Sequence, residues 1–370
     1  MIAGMAALVS AVQTNCDIAD ARHARDVSLC TYLLGMREYF RWEHQLPFGV
    51  APPREEVGRW IAAREARWDE LADGDFIDLP VVGRTLDPFD AESVNAALAG
   101  SGLVYGAGIG RFRKPHFFLG ELARDERRGD ARLLVCGCEY ARDVAAIPAA
   151  SQGRTVIVRR EALRQWLWEK ADGWNLKQQD GALKLALLAY GYNVDPQAAI
   201  ERMTEGEIET LILHEEGELV AGRLLGNAWP AMLGRIGGKR AEIFARAVKD
   251  NLADCLVTLP GLLARDGEDS LHFWFATFDG LRREMFPRLA AAYAMKVMRS
   301  GTPTDGADEA PAQQGGRAED ALFAAADGDT AIVDAASLGT AHFLGLAKRL
   351  LEMDESAIEA LSHEVGRIAL

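Results

Sequence analysis

The second half of the chain carries histidines and carboxylates at helical spacing. His214 and Glu218 are four residues apart, as are Asp250 and Asp254, so each pair would lie on one face of its helix. The full candidate set, spread over three predicted helices, is His214, Glu218, Asp250, Asp254, His272 and Asp279. Iron and manganese sites in helical bundles use inward-facing histidines and carboxylates of this kind. These residues predict a metal-dependent enzyme in which bound iron or manganese acts on dioxygen or water.

The same side chains have a non-catalytic interpretation. Arginines on these helices could neutralise the carboxylates in a buried polar network, and the candidates are Arg223, Arg246, Arg282 and Arg283. The Glu-x-x-His pair that helical di-iron sites use is absent. Under this alternative the chain is an assembly or scaffold protein whose polar residues are locked in ion pairs.

A second polar group lies near the N-terminus, where potential ligands recur every seven residues. They are Cys16, His23, Cys30, Arg37 and His44. On one straight helix, successive members would be about 10 Å apart, which is too far for one metal ion with bonds of about 2 Å. A bend before a helix that starts near residues 26–28 would instead bring Asp20 and Asp26 to His23, as a candidate catalytic group. Cys30 is expected to be a small core residue.

A glycine-rich stretch offers a third candidate site. Gly106, Gly108 and Gly110 precede Arg111 and Lys114, so flexible backbone amides stand beside positive charge, as a phosphate-binding loop requires. The strand–loop–helix context of a nucleotide-binding loop is missing, and no GK[ST] follows. A glycine-rich hairpin turn is therefore the alternative interpretation.

Hydrophobic patterning predicts a mainly helical fold in which helical regions flank a small antiparallel β-sheet. The predicted regions are an N-terminal helical region 1–84, a small α+β region 85–160, a helical bundle 161–300, a disordered linker 301–320 and a C-terminal helical module 321–370. The linker would tether the C-terminal module. Thr204 and Glu207 form a capping-box pattern, which predicts that the helix carrying His214 begins there.

Composition limits the classes of partner. The net charge of −14 disfavours nucleic acid and anionic membrane surfaces. Five scattered cysteines do not indicate a disulfide framework, and no run of about 18 apolar residues marks a membrane span. We therefore expect a cytoplasmic protein without nucleic-acid or membrane partners, and a protein partner that binds through the C-terminal module.

Several segments resemble an uncharacterised family of bacterial proteins of unknown function. They are DARHARD and SLCTYLLGMREYFRWE near the N-terminus, and NLADCLVTLPGLL and HFWFATFDGLRREMFP further on. The similarity covers most of residues 15–300. The resemblance implies a bacterial cytoplasmic origin, and it implies no activity, cofactor or catalytic residue.

Overall fold

The chain forms two compact units, Met1–Glu169 and Lys170–Leu370, in a computed structural model. The described residues are 4–265, 267–299 and 328–370. The linker predicted over 301–320 lies outside them. The fold is mainly helical with a small sheet region, as the hydrophobic patterning predicted.

The first unit contains both helices and strands. Its helices are α1 (Met5–His23), α2 (Leu29–Glu43), α3 (Arg54–Leu71) and α4 (Ala91–Ala97), and α5 (Arg160–Lys177) begins near its C-terminal end. Its strands are β1 (Leu79–Val81), β2 (Arg84–Leu86), β3 (Leu103–Ile109), β4 (Pro115–Arg128), β5 (Ala131–Arg142), β6 (Ala149–Gln152) and β7 (Thr155–Arg159). The predicted regions 1–84 and 85–160 share this unit, because α1 packs with β1, β3 and β4 in one hydrophobic core.

A five-stranded sheet in the order β3–β4–β5–β7–β6 dominates this unit. Its pairs are antiparallel except β5 with β7, which run parallel with Leu134 opposite Ile157. The segment ELARDERRGDARLL forms the β4–β5 hairpin, and Gly129 takes a positive φ of 56° in its turn. Strands β1 and β2 form a separate antiparallel pair. The strand order leaves β3 and β6 as the two outer strands of the larger sheet.

Helix α1 is continuous through the segment for which the sequence predicted a bend. Its residues Asn15, Asp17 and Asp20 are polar yet buried, so they interrupt the apolar pattern without interrupting the helix. Asp17, for example, accepts a hydrogen bond from Arg64 of α3 at 3.1 Å. The predicted bend is therefore wrong as far as His23.

The first turns of α2 also differ from the prediction. Leu29, Leu33 and Leu34 are 72%, 46% and 47% exposed, and Cys30 beside them is exposed as well. Burial on this helix becomes continuous only further along, and Met36 is fully buried. The expectation that Cys30 is a core residue is therefore wrong, because apolar spacing does not show which end of a helix meets the core.

The described residues of the second unit form helices joined by turns and loops, without strands. Its helices are α6 (Ala182–Ala189), α7 (Pro196–Leu225), α8 (Ala228–Arg235), α9 (Lys239–Ala253), α10 (Leu259–Leu263), α11 (Asp269–Thr277), α12 (Gly280–Met285), α13 (Pro287–Arg299), α14 (Gly328–Leu351), α15 (Glu355–Ser362) and α16 (Val365–Ile368). The helices predicted for the C-terminal module are present. Their apolar residues share one core with α9 and its neighbours, as the contact of Phe343 with Phe286 at 5.1 Å between ring centroids shows.

Helix α7 begins earlier than its capping-box pattern predicted. Asp195 caps the helix by accepting a hydrogen bond from the backbone N–H of Ala198, and Pro196 occupies the first turn. Thr204 lies inside the helix, where its hydroxyl donates to the carbonyl of Ile200. The predicted start at Thr204 is therefore wrong, because helical turns precede it.

Helix α14 is long and apolar enough to cross a membrane by length and composition alone. Its residues Ile332, Phe343 and Leu350 are buried in the core of the second unit. Core helices of folded proteins have the same composition, so α14 does not identify a membrane protein.

Candidate metal centre

Helices α7 and α9 come into backbone contact at one point. A Cβ atom on Gly217 of α7 would lie 2.5 Å from the carbonyl oxygen of Ala253, the last residue of α9. Glycine allows this approach because it has no side chain. His214 stands three residues before Gly217, and Glu218 stands one residue after it. Asp250 and Asp254 stand at the same offsets from Ala253. The contact therefore brings together the two pairs that the sequence predicted at i, i+4 spacing.

His214, Glu218 and Asp250 form a compact cluster. One potential ligand atom from each residue lies within 4.8 Å of the other two. Ligands of a six-coordinate ion with bonds of about 2.1 Å are about 3 Å apart, so side-chain shifts of about 1–2 Å would complete a site. All three side chains are half-buried, which leaves the cluster accessible from solvent.

Asp254 orients the ring of His214. His214 Nδ1 lies 2.9 Å from Asp254 Oδ1. Burial alone would raise the pKa of Asp254, but the charges of Arg282 and His214 lower it to about 2, so this carboxylate is ionised and only accepts hydrogen bonds. Nδ1 therefore carries the proton, and Nε2 is the ring nitrogen left for a metal ion.

The backbone around Asp254 departs from regular α-helix. Asp254 is the first residue of a π-helical turn, Asp254–Thr258, between α9 and α10. Single π-helical turns inside helices are frequent at functional sites. The Asp254 side chain also accepts hydrogen bonds from Trp274 Nε1 at 3.3 Å and from the guanidinium of Arg282. These contacts hold the carboxylate that positions His214.

The protonation state of His214 opposes metal binding at neutral pH. Burial alone would lower the pKa of His214, but the adjacent Asp254 carboxylate raises it to about 10. The ring is therefore an imidazolium at pH 7, and a metal ion must displace its proton. That displacement costs about 4 kcal/mol at pH 7, so the affinity for a metal ion must increase with pH.

Glu218 supplies a carboxylate oxygen that has no partner among the residues that the structure describes. Its Oε2 accepts a hydrogen bond from Lys249, whereas its Oε1 is buried and accepts none from any described residue. Burial and the neighbouring Asp250 raise the pKa of Glu218. An unsatisfied buried oxygen is costly, and a bound cation would relieve that cost.

His272 and Asp279, which the sequence placed in the same ligand set, lie outside the cluster. His272 Nδ1 is 2.8 Å from the hydroxyl of Tyr293, and its Nε2 is 3.6 Å from Glu268. Asp279 precedes α12, and its side chain makes no capping hydrogen bond. Helix α11 thus directs its histidine toward α13, a direction that the apolar pattern of α11 does not reveal.

The group predicted around His23 is divided between two places. Asp20 is fully buried, and its carboxylate accepts hydrogen bonds from Lys114 Nζ at 3.1 Å and from the backbone N–H of Val144 at 2.9 Å. His23 ends α1 and lies 3.1 Å from Asp26 near the surface. Because α1 continues through this segment, Asp20 and His23 face different surroundings. The predicted three-residue catalytic group is not formed.

The glycine-rich stretch is a strand rather than a phosphate-binding loop. Gly106 and Gly108 lie in β3, and Gly110 leads into a short 3-10 turn, Arg111–Arg113. Lys114 is turned inward to its ion pair with the buried aspartate of α1. The hairpin alternative matches the structure, and the predicted cradle is not formed because strand pairing extends the glycines and the ion pair occupies the lysine.

The first unit contains a histidine–aspartate pair that the sequence did not indicate. His116 Nδ1 lies 2.7 Å from Asp143 Oδ2. Asp143 is fully buried; burial would raise its pKa, but the charge of His116 holds that pKa well below its usual range. The two residues are 27 positions apart and meet because β4 pairs with β5. The sequence signal that could have indicated this pair is a histidine at the start of one apolar strand and an aspartate at the end of the next.

The chain belongs to a family of unknown function, DUF6866. The N-terminal domain of that family matches residues 7–159, and its C-terminal domain matches residues 164–313. The gap between the two matches lies within ten or so residues of the boundary between the two compact units. No curated protein and no solved structure matches the chain. The resemblance to an uncharacterised family is therefore confirmed, and membership of that family assigns no function to the chain.

Proposed function

We propose that the second unit binds one divalent manganese or iron ion through His214, Glu218 and Asp250, and that the chain is a metal-dependent enzyme. The observation that carries this proposal is the meeting of three ligand atoms within 4.8 Å of one another, beside an aspartate that orients the histidine. Metal-binding histidines commonly have such a carboxylate on their second ring nitrogen.

The ligand types favour manganese or iron. Two carboxylates and one imidazole form an oxygen-rich set without a thiolate, which suits these metals better than zinc or copper(I). Three protein ligands leave coordination positions open, and solvent can reach the half-buried cluster. A metal ion held there would supply a Lewis acid or activate a bound water.

The charges around the cluster also favour a cation. Glu218, Asp250 and Asp254 are close together, and the nearby positive side chains are Lys249 and Arg282. Once His214 has lost its proton, the carboxylates outnumber the cations by one. A divalent ion is therefore attracted to the place from which the proton leaves.

A second candidate function is structural, and a specific observation favours it. Lys249 pairs with Glu218, and Arg282 pairs with Asp254, as the sequence alternative anticipated for Arg282. Under this alternative the polar network fixes the packing of α7 on α9 without an ion, and the chain is an assembly or scaffold protein.

Metal content tests the first candidate against the second. The full chain, purified without an affinity tag, is analysed by inductively coupled plasma mass spectrometry and then titrated with Mn²⁺ after removal of metal by a chelator. We expect about one ion per chain and loss of binding in His214→Ala and in Asp250→Asn. Absence of manganese, iron and Mn²⁺ binding in the wild-type chain would overturn the proposal.

A matched control uses a histidine from the same predicted set that lies outside the cluster. His272→Ala should bind Mn²⁺ as the wild-type chain does, because His272 contacts Tyr293 instead. Thermal unfolding of each variant shows whether a loss of binding reflects loss of the fold. Equal loss of binding in His272→Ala and His214→Ala, with both folded, would contradict the assignment of ligands.

A further inference from the structure

The first unit contains a cavity that is bounded by both outer strands of its sheet. Its volume is about 310 Å³, and its walls come from β3, β6 and β7 with the start of β4. The sheet therefore curls enough for its two edges to line one space. A volume of this size accommodates a single ring with substituents, since about 150 Å³ is enough for benzene.

Glycines shape one wall of this cavity. Gly106 and Gly108 alternate along β3 and so share a sheet face, and Gly110 follows directly after the strand; all three line the cavity. A Cβ on Gly106 would lie 2.1 Å from the Phe118 ring, and one on Gly110 would lie 2.7 Å from the His116 ring. A Cβ on Gly108 would meet nothing within 4 Å. The first and third glycines make room for the two rings, and the middle one faces open space.

His116 offers the cavity a ring nitrogen that is held in place by a buried aspartate. Its Nδ1 donates to the ionised carboxylate of Asp143, which can only accept, so Nε2 is the ring nitrogen open to a ligand. No described residue hydrogen-bonds Nε2. The ring is 17% exposed. An aspartate-oriented histidine with a free Nε2 is the arrangement used to bind or deprotonate a hydroxyl group.

The other charged group of the cavity is already paired. Arg159 lines the wall, but its guanidinium donates to both carboxylate oxygens of Glu139, at 2.7 and 3.0 Å, and lies over the Phe118 ring. The remaining walls are mostly apolar, with Ile147 and Ile157 among them. Ser151 and Gln152 of β6 add a hydroxyl and an amide to the lining. Mostly apolar walls with a few polar groups select a ligand of matching character.

We propose that this cavity binds a small hydrophobic molecule that carries one hydroxyl or carboxyl group, with the hydrocarbon body against the apolar walls and the oxygen on His116 Nε2. The site lies in the first unit and is independent of the metal centre. The glycines of β3 are the feature that creates its space.

The test is isothermal titration of the metal-free full chain with three probes that share one ring: phenol, benzoate and toluene. Phenol, benzoate or both should bind at least tenfold more tightly than toluene, because toluene lacks the oxygen. Equal affinity for all three would overturn the role of His116. No binding of any probe up to its solubility would overturn the site.

Two variants locate the binding. Gly108→Val fills open space without a clash and should abolish binding of the oxygen-bearing probes, whereas Gly58→Val, on the exposed face of α3 with nothing within 4 Å, should not. His116→Asn keeps an amide donor for Asp143 but removes Nε2, so affinity should fall about tenfold with the fold retained. Unchanged binding in Gly108→Val would place the probes elsewhere and overturn the proposal.

Discussion

Gly217 and Ala253 touch through their backbones, so the absence of one side chain sets the distance between α7 and α9. His214 and Glu218 flank the first residue, and Asp250 and Asp254 flank the second. The geometry of the candidate metal centre therefore depends on Gly217, which has no side chain that could bind a metal ion.

Gly217→Ala should weaken Mn²⁺ binding by tenfold or more. The added Cβ would lie 2.5 Å from a backbone oxygen, so the helices must separate and the ligand atoms with them. Overpacking of this kind also costs about 1–3 kcal/mol of stability. Gly222→Ala on the same helix is the control, because its nearest neighbour would be Lys249 Nζ at 4.0 Å. Titration and urea unfolding of both variants check this, and wild-type affinity in Gly217→Ala would contradict it.

The stability of the metal-free chain should fall as pH rises from about 6.5 to 10. The folded-state pKa of His214 is about 10 against an ordinary value of 6.5, so its stabilising charge is fully present below 6.5 and lost as pH rises through 10. The loss is at most about 5 kcal/mol. His214→Asn keeps a donor for Asp254 but no titrating ring, so its stability curve should be flatter. Urea unfolding with a chelator present, from pH 6 to 9, compares the two, and parallel curves would refute this prediction.

The affinity for Mn²⁺ should change with pH in the opposite direction. Each bound ion displaces the proton of His214, so the dissociation constant should fall about tenfold per pH unit between pH 6.5 and 8.5. Titration calorimetry in buffers of different ionisation enthalpy measures the released proton directly. A dissociation constant independent of pH would mean that His214 is not a ligand.

Lys249→Met separates the metal proposal from the structural alternative. Lys249 is the cation that pairs with Glu218, so its removal frees that carboxylate for an ion and should tighten Mn²⁺ binding about tenfold. A purely structural network predicts a loss of stability and no gain in binding, because a half-buried carboxylate loses its partner. Titration with Mn²⁺ and urea unfolding of the variant give both readouts.

The five thiols should differ sharply in reactivity. Cys30 and Cys138 are exposed, whereas Cys16, Cys136 and Cys255 are buried. Burial, together with the smaller effect of the charge of Glu161, raises the pKa of Cys138 to about 11. The Cys138 thiol should therefore react more slowly than the Cys30 thiol. Labelling with Ellman's reagent at pH 8 should show one fast and one slow thiol, with three more after addition of denaturant. Fast labelling of three or more thiols in the folded chain would contradict the burial of the others.

Helical periodicity explains why part of the metal centre could be predicted. The spacing of His214 with Glu218 and of Asp250 with Asp254 fixes which side chains share a helix face, because that geometry is local. Which helices become neighbours is decided by packing over the whole unit. The pattern therefore gave no ground to exclude His272, whose helix turns it toward Tyr293.

The pair of His116 with Asp143 in the first unit shows more clearly what local sequence cannot predict. His116 meets Asp143 through the register between β4 and β5, which contains irregularities from Leu119 to Arg124. A shift of one residue in that register would point side chains to the other face of the sheet. Local sequence does not encode where such irregularities fall, so this pair emerges only from the structure.

Helix α1 is synthesised well before the strands that it covers. The thiol of Cys16 donates to the carbonyl of Phe117, 101 residues later in the chain. At about 5–20 residues per second, a ribosome needs roughly 5–20 s to make that partner after α1 has emerged. Helix α1 therefore cannot pack on these strands as it is made, and the core that it shares with β3 and β4 forms only after β4 has been synthesised.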